Sequence, residues 1–350
     1  MSQISINDIS SLDGKSGPVI SGITTVSSTG YMMIPAGPTE YRGGRGRGLF
    51  GGGATPGGTN TIQYITISTQ GDSKDFGDLT TNRLNTSSAS SSTRGLYAGG
   101  RNPSYTNSID YITISATGNA FDFGDLSTDR AYLAGCSNST RSVFGGGFSP
   151  NTTPTYQNFI EYVEFSSLGN SISFGSLTDL SSTMGACASS TRGIFAGGSN
   201  PLTYAYSNSI DYITISTTGN AEDFGDLTQN AYGQSSCSNS IRGLIGGGIQ
   251  PSSAINVIDY ITLASLGSAI DFGDLNNQVY QSASCSSEIR GIFAGGFSTP
   301  LSYDVIDYVN ITSTGNALDF GNLVVGNNSL AGCSDAHGGL GYDSPRITIL

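Results

Sequence analysis

A three-part sequence unit recurs six times along the chain. It reads Arg-Gly-apolar-aromatic-small-Gly-Gly, then Asp-Tyr-Ile-Thr-Ile, then Phe-Gly-Asp-Leu, and its clearest copy runs from Arg192 to Leu227. The repeat arginines lie 47, 47, 51, 50 and 48 residues apart. They are Arg47, Arg94, Arg141, Arg192, Arg242 and Arg290. A period of this length is typical of propellers, solenoids and other arrays, whose single units cannot bury their apolar faces alone.

Each repeat contains four short strand candidates, which we name a to d. Strand a is a run of small residues such as 133–137, and strand b starts at the repeat arginine. Strand c is exemplified by 209–216 and strand d by 221–227. β-branched and aromatic residues bounded by Gly, Asn, Ser and Asp are typical of strands, and we find no helical period.

The residue types of these strands favour radial packing. Strand c carries apolar side chains on both faces, so it needs cover above and below. Strand a has only small residues, as the crowded axis of a propeller requires, and the Gly-Gly that ends strand b permits close backbone approach. Radial closure of four-stranded units also protects strand edges. The pattern predicts an all-β fold with a single β-propeller.

The ends of the chain leave the number of blades open. Residues 1–20 have no period and are expected to form an attachment arm or tail. Residues 21–350 are expected to form the propeller, with a degenerate half-repeat at 21–46, six repeats at 47–327 and a closing partial blade at 328–350. This division favours seven blades, the seventh built from both termini. Six blades with a separate N-terminal arm is the alternative.

Composition argues against several classes of function. The net charge is −12 at pH 7, which opposes binding to nucleic acid or anionic lipid. No apolar run reaches the roughly 18 residues of a membrane helix, and the N-terminus does not resemble a secretory signal. Charged residues make up 11% of the chain and histidine occurs once, at His337. A single histidine argues against catalysis or metal binding that depends on several histidines.

Five cysteines occupy one position of the repeat, where the remaining copy has Ala89. They are Cys136, Cys187, Cys237, Cys285 and Cys333. One cysteine per repeat in an odd total is not typical of a disulfide framework. We interpret them as small buried thiols.

The recurring carboxylates are also interpreted as architecture. Asp-Phe-Gly occurs five times without the other parts of a kinase, and its Asp is placed to pair with the repeat arginine. A second acidic position lies in strand c, at Asp110, Glu161, Asp211, Asp259 and Asp307. We expect no catalytic residue, no cofactor, no metal and no enzymatic activity. A propeller-fold enzyme acting on glycans is a further alternative.

The loops between strands b and c vary in length and carry the candidate binding residues. These are Tyr105, Tyr156, Tyr204, Tyr206 and Tyr303. Insertions in repeat proteins map to loops on one face, often the binding face. A tyrosine ring offers an apolar face and a hydroxyl, which suits contact with sugar or protein. The alternative is that these rings only cover the blade rims.

The order of the strands resembles the kelch family of β-propellers. Kelch repeats end their second strand in Gly-Gly, as at Gly99-Gly100, and follow it with an aromatic strand, as in Asp-Tyr-Ile-Thr-Ile. The chain departs from that pattern because it has no Trp, and a Phe stands near the usual Trp position. The resemblance implies a kelch-like architecture.

The amino-acid sequence of the repeat also resembles that of repeats in structural proteins of marine tailed phages, including cyanophages. Ile-Asp-Tyr-Ile-Thr-Ile-Ser, Thr-Gly-Asn-Ala and Thr-Arg-Gly-Ile-Phe-Ala-Gly-Gly carry this resemblance, with a short one at 28–37. It implies a virion protein made in the host cytoplasm and displayed on the tail, fibre or capsid. Its partners would be other virion proteins, through residues 1–20, and a host surface glycan or protein, through the loops. An intracellular scaffold for protein partners is the alternative.

Overall fold

A computed structural model describes residues 46–54, 57–200 and 205–341. These residues form six four-stranded antiparallel sheets. The inner strands follow one another around a closed ring, so the fold is a six-bladed β-propeller. The predictions for 1–20 and for most of the half-repeat at 21–46 fall outside the described residues, as do those for 342–350.

The four strands of each blade lie in the order a, b, c, d from the axis outward. From blade 1 to blade 6, strand a is Ala331–Ser334, Ser87–Ser90, Ala134–Ser137, Gly185–Ala188, Ser235–Ser238 and Ala283–Ser286. Strand b is Arg47–Gly51, Arg94–Ala98, Arg141–Gly145, Arg192–Ala196, Arg242–Gly246 and Arg290–Ala294. Strand c is Thr61–Thr66, Ser108–Thr113, Phe159–Glu164, Ser209–Thr214, Val257–Thr262 and Val305–Asn310. Strand d is Lys74–Asp78, Phe121–Asp125, Ile172–Ser176, Glu222–Asp226, Ile270–Asp274 and Leu318–Asn322.

Three smaller elements complete the described structure. The b–c loop of blade 4 contains a short hairpin of Ser199–Asn200 and Ala205–Tyr206. That of blade 6 contains another, of Phe297–Ser298 and Leu301–Ser302. A 3₁₀ turn at Gly338–Leu340 follows the last strand.

The closure of the ring corrects the favoured count of seven blades to six. The last strand a, Ala331–Ser334, pairs with the first strand b, Arg47–Gly51, with Gly48 opposite Ser334. Strand a of the blade that starts at Arg47 is therefore supplied from the C-terminal part of the described chain. Residues 328–334, expected to start a seventh blade, therefore complete the first, which leaves no open edge at the junction.

The two apolar faces of strand c are buried between neighbouring blades, as the sequence predicts. In blade 4, Ile213 and Ile215 pack in a cluster with Ile160 and Phe174 of blade 3. Ile210 of the same strand packs on the other side, in a cluster that includes Ile261 of blade 5. Each blade thus provides half of two separate interfaces.

The outer edge of each blade is hydrogen-bonded to the next blade. The Gly219 amide of blade 4 donates to the Phe174 carbonyl of blade 3, and the Ala221 amide donates to Ser176. A Cβ added at Gly175 would lie 2.0 Å from the Gly219 oxygen, which explains why strand d has a glycine there. The same two backbone hydrogen bonds occur at all six blade junctions, including the one where the Gly71 amide donates to the Phe320 carbonyl.

The repeat arginine joins blades through a carbonyl group. Arg192 Nη1 of blade 4 donates to the Leu263 carbonyl of blade 5, and its guanidinium lies 5.0 Å from the centroid of the Tyr212 ring. The other five arginines make the equivalent contacts, with carbonyl distances of 2.5–3.2 Å. Within the described ranges, none forms an ion pair with the Asp of Asp-Phe-Gly, so that pairing is wrong.

Two departures from the repeat compensate each other. At five junctions, a cysteine of strand a lies over the glycine that follows the repeat arginine of the next blade. A Cβ added at these glycines would lie 2.5–3.2 Å from the sulfur. At the sixth junction, strand a has the smaller Ala89 and strand b has the larger Ser142. Both are buried, so total volume is kept at the interface.

This compensation predicts a coupled pair of substitutions. Ala89→Cys alone should lower the free energy of unfolding by about 1–3 kcal/mol, because the thiol would overpack against Ser142. Ala89→Cys with Ser142→Gly should recover most of that loss, because it recreates the pair found at the other five junctions. Urea unfolding of the wild type, both single variants and the double variant measures the coupling. Additive effects would contradict the compensation.

Candidate functional site

The propeller has two faces of different character. We define the loop face by the b–c loops and d–a connections, such as 99–107 and 127–133. The turn face carries the a–b and c–d turns, such as 91–93 and 114–120. The chain enters strand b of blade 1 at the turn face, where the Arg47 amide donates to Asp335. The described chain therefore begins and ends on the turn face.

A closed ring of backbone hydrogen bonds surrounds the axis on the loop face. Six residues just before strand a have left-handed backbones, with φ between 54° and 75°. They are Asn85, Tyr132, Thr183, Gly233, Gln281 and Ser329. Each amide donates to the carbonyl of its counterpart in the preceding blade, at 2.7–3.0 Å. We name this the axial ring, and it provides a rigid floor between the loops.

Three of the predicted tyrosines meet in one groove beside the axial ring. Tyr105, Tyr156 and Tyr206 come from the b–c loops of blades 2, 3 and 4 and line a groove of about 530 Å³. The full lining is Tyr105, Tyr132, Phe148, Tyr156, Tyr206 and Tyr232 with Ser182, Thr183, Ser199 and Asn200. Its volume falls within the range typical of small-molecule sites. We name this the aromatic groove.

The rings of the groove pack on one another and keep part of their surface exposed. The Phe148 ring centroid lies 5.5 Å from that of Tyr105 and 4.9 Å from that of Tyr156. On the other side, Tyr206 and Tyr232 are 4.9 Å apart. Burial raises the pKa of Tyr105 and Tyr232, so their hydroxyls are protonated at neutral pH. The lining contains no Asp, Glu, Lys, Arg or His.

The other two predicted tyrosines do not contribute to this groove in the described structure. Tyr303 packs against the core cluster of blades 5 and 6 and lines a separate small cavity with Phe293 and Asp307. Its placement fits the alternative that such rings cover the blade. Tyr204 lies outside the described residues.

Sequence reasoning missed half of the aromatic lining. Tyr132, Phe148 and Tyr232 were not chosen because they lie beside the repeat units, in the d–a connections or directly after Gly-Gly. Aromatic residues at these positions occur in some repeats and not in others, and this variation was a usable signal. For example, the position that Tyr232 occupies is taken by Leu84, Ala131 and Ser182 in other blades, where each forms the equivalent β-bridge.

The acidic position of strand c has the structural role that the sequence predicts. Each carboxylate accepts hydrogen bonds from the segment after strand d of the preceding blade. Asp211, for example, accepts from the amide and hydroxyl of Thr178. Gln63 takes this role in blade 1, where its side-chain oxygen accepts from the Val324 amide. These groups fasten blades together, and the aromatic groove does not include them.

The electrostatic environment of these carboxylates differs between blades. Asp110 and Glu161 each pair with a buried arginine, Arg83 and Arg130, and Arg83 Nη2 lies 2.5 Å from Asp110 Oδ2. No ion pair of the described residues involves the other three, and burial raises their pKa. They are Asp211, Asp259 and Asp307.

The central channel is narrow and its thiols are protonated. Strands a of all six blades line a cavity of about 50 Å³. All five cysteines lie in this inner layer, as predicted, and they are free and buried. Burial raises the pKa of Cys187 and Cys333 to about 12, so these thiols are unreactive at neutral pH.

His337 closes the channel at the turn face. Its Nδ1 accepts from the Gly339 amide, so Nε2 carries the hydrogen and donates to the Ser90 carbonyl at 2.8 Å. Burial lowers the pKa of the imidazole, which keeps it neutral. A Cβ at Gly339 would lie 1.9 Å from the Ser137 carbonyl oxygen. The segment 337–341 therefore fits against the inner strands as a plug, and the hydrogen bonds of His337 hold it there.

Comparison of the sequence with known proteins does not assign the chain to a family. Among the described residues, no three His, Cys, Asp or Glu side chains are grouped to hold a metal ion. None of the helices in the described ranges has the length and apolar composition that crossing a membrane requires. No model of a known protein family matches the chain, and no curated protein matches its sequence. The kelch and phage resemblances stay predictions.

We expect two equivalent substitutions in strand c to have opposite effects on stability. Asp211→Asn should raise the free energy of unfolding at about pH 7 by up to about 1 kcal/mol, because it removes a buried charge and Gln63 shows that an amide serves here. Asp110→Asn should lower it by about 3–5 kcal/mol, because the buried Arg83 loses its carboxylate. Urea unfolding measures both.

The pH dependence supplies the control for this pair. The pKa of Asp211 is raised above its ordinary value of 3.8, so the folded protein binds its proton before the unfolded chain does. The cost of the buried charge is thus relieved as pH falls through the raised pKa. The advantage of Asp211→Asn should shrink between about pH 7 and pH 4. An advantage that is constant with pH would contradict a buried, ionised Asp211.

The plug can be tested through the chain's single histidine. In the wild type, the NMR titration of His337 should show a pKa below 6.5. Gly339→Ala should displace the plug and return the pKa toward 6.5, because the added methyl group overlaps the Ser137 carbonyl. Gly219→Ala is the matched control, since an added Cβ there meets nothing within 4 Å. An unchanged titration in Gly339→Ala would contradict the plug.

Proposed function

We propose that this chain is a non-enzymatic structural protein of a tailed-phage particle. It is displayed on the tail, fibre or capsid surface, and its loop face contacts the host surface. The single observation that supports contact with a host is the aromatic groove, where loops of three blades present partly exposed rings on one face. The assignment to a phage rests on the resemblance of the repeat sequence.

The position of the chain ends supports this orientation. The described chain begins at Gly46 and ends at Gly341, both at the turn face, while the groove lies on the loop face. The chain thus enters the described propeller on the face opposite the groove. The architecture supports display, because the repeated geometry of the six blades carries b–c loops that differ from one blade to the next.

Particle composition and labelling test the proposal. Mass spectrometry of gradient-purified particles should detect the chain, and an antibody raised against the loop peptide 149–157 should label intact particles. An antibody against residues 1–20 should label disrupted particles more strongly than intact ones. Absence of the chain from purified particles, with recovery in complexes with cellular proteins, would overturn the proposal in favour of the intracellular scaffold.

A further inference from the structure

The aromatic groove has the composition of a site for an uncharged polar ligand. Its lining has six aromatic rings and four small polar side chains, and it contains no Asp, Glu, Lys, Arg or His. Arg101 stacks on the Tyr132 ring, with its guanidinium 5.7 Å from the ring centroid, and lies outside the lining. The lining side chains themselves supply no opposite charge that would offset the desolvation of a charged ligand.

The polar groups of the groove are arranged to exchange hydrogen bonds with hydroxyl groups. Thr183 Oγ1 donates to Ser182 Oγ, and Ser182 Oγ lies 3.3 Å from Ser199 Oγ. Each hydroxyl can rotate to donate or to accept. A ligand rich in hydroxyls can therefore join this chain of hydroxyls without leaving a buried polar group unsatisfied.

The aromatic rings supply flat apolar surface beside these hydroxyls. Tyr105 and Tyr206 stand on loops of different blades and pack on Phe148 and Tyr232. Rings held in this way lose little conformational freedom when a ligand stacks on them. Apolar ring faces next to hydroxyl and amide groups match a pyranose, which presents C–H groups on its faces and hydroxyls at its edge.

A peptide fits the loop face less well than a sugar. Extended peptides commonly bind by adding a strand to an exposed sheet edge. The outer strand of every blade is already hydrogen-bonded to the next blade, as in Gly219 to Phe174. The inner strand of blade 1 likewise faces its neighbours in the closed ring around the axis. Within the described residues, the outer strands of the blades thus offer no free edge for such a peptide.

We infer that the aromatic groove binds a neutral oligosaccharide. Tyr105, Tyr156 and Tyr206 form stacking surfaces for its rings, and Thr183, Ser199 and Asn200 hydrogen-bond its hydroxyls. The inference rests on the proposed function only for the source of the sugar, the host surface. The binding chemistry is a property of the groove itself.

Free trisaccharides test the ligand class on the full-length protein. Ligand-observed NMR and calorimetry would compare a neutral glucose trimer and an N-acetylglucosamine trimer with a galacturonic acid trimer. We expect at least one neutral trimer to bind and the acidic trimer to bind at least about tenfold more weakly. Tighter binding of the acidic trimer, or no binding of either neutral one, would overturn the inference.

Substitutions in the groove test its location. Tyr105→Ala and Tyr206→Ala should each weaken binding of the neutral trimer by about tenfold, because each removes one stacking surface. Phe121→Ala is the matched control, since this ring is 65% exposed on strand d of blade 2, outside the groove. Its binding should equal that of the wild type. Circular dichroism and thermal unfolding would confirm that all three variants are folded.

The two proposals can fail independently. Equal binding by wild type, Tyr105→Ala and Tyr206→Ala would place the sugar elsewhere and overturn the inference, whatever the particle contains. Loss of binding in these variants supports it even if purified particles lack the chain. In that case the groove is a carbohydrate site of a protein that is not part of a virion.

Discussion

Hydrogen bonding between the outer strand of one blade and the c–d turn of the next is the constraint on which this propeller depends. Without it, each strand d would expose an unpaired edge that could recruit other chains. The close approach requires glycine in strand d, as at Gly175, where an added Cβ would lie 2.0 Å from the Gly219 oxygen. Because Gly71 of blade 1 donates to Phe320 of blade 6 in the same way, every edge is covered once six blades have formed. The same closure places the last strand a beside the first strand b.

The repeated side chains reinforce these junctions, and their polar groups bond across them. Each repeat arginine stacks on a tyrosine of its own blade and donates to a carbonyl of the next, and each acidic or amide group of strand c holds the segment after the preceding strand d. The cysteines fit over glycines in the same manner. Residues that recur in every blade therefore explain stability. Binding chemistry is left to positions that differ between blades, which is where the aromatic groove lies.

The sequence predicted part of the groove because the variable loops carry conspicuous tyrosines. It could not distinguish Tyr105, which lines the groove, from Tyr303, which packs on the core of blade 6. Both lie in b–c loops with similar sequence neighbours. Whether the ring lines the groove or packs on the core depends on which blades flank the loop. Tyr132 and Tyr232 were not predicted because both lie in d–a connections outside the repeat units. At Tyr132, the left-handed backbone of the axial ring turns the chain at the groove floor.

The sequence by itself determined the propeller class, the four strands of each unit and the burial of the cysteines at the axis, because residue size and β propensity act locally. It also contains six copies of each strand, but local pattern cannot say which strands pair across the chain ends. That pairing joins residues 286 positions apart, Gly48 and Ser334, and depends on how the six blades pack on one another around the closed ring. Only the tertiary structure could therefore settle six blades instead of seven. For the same reason it alone brings tyrosines from three loops into one groove.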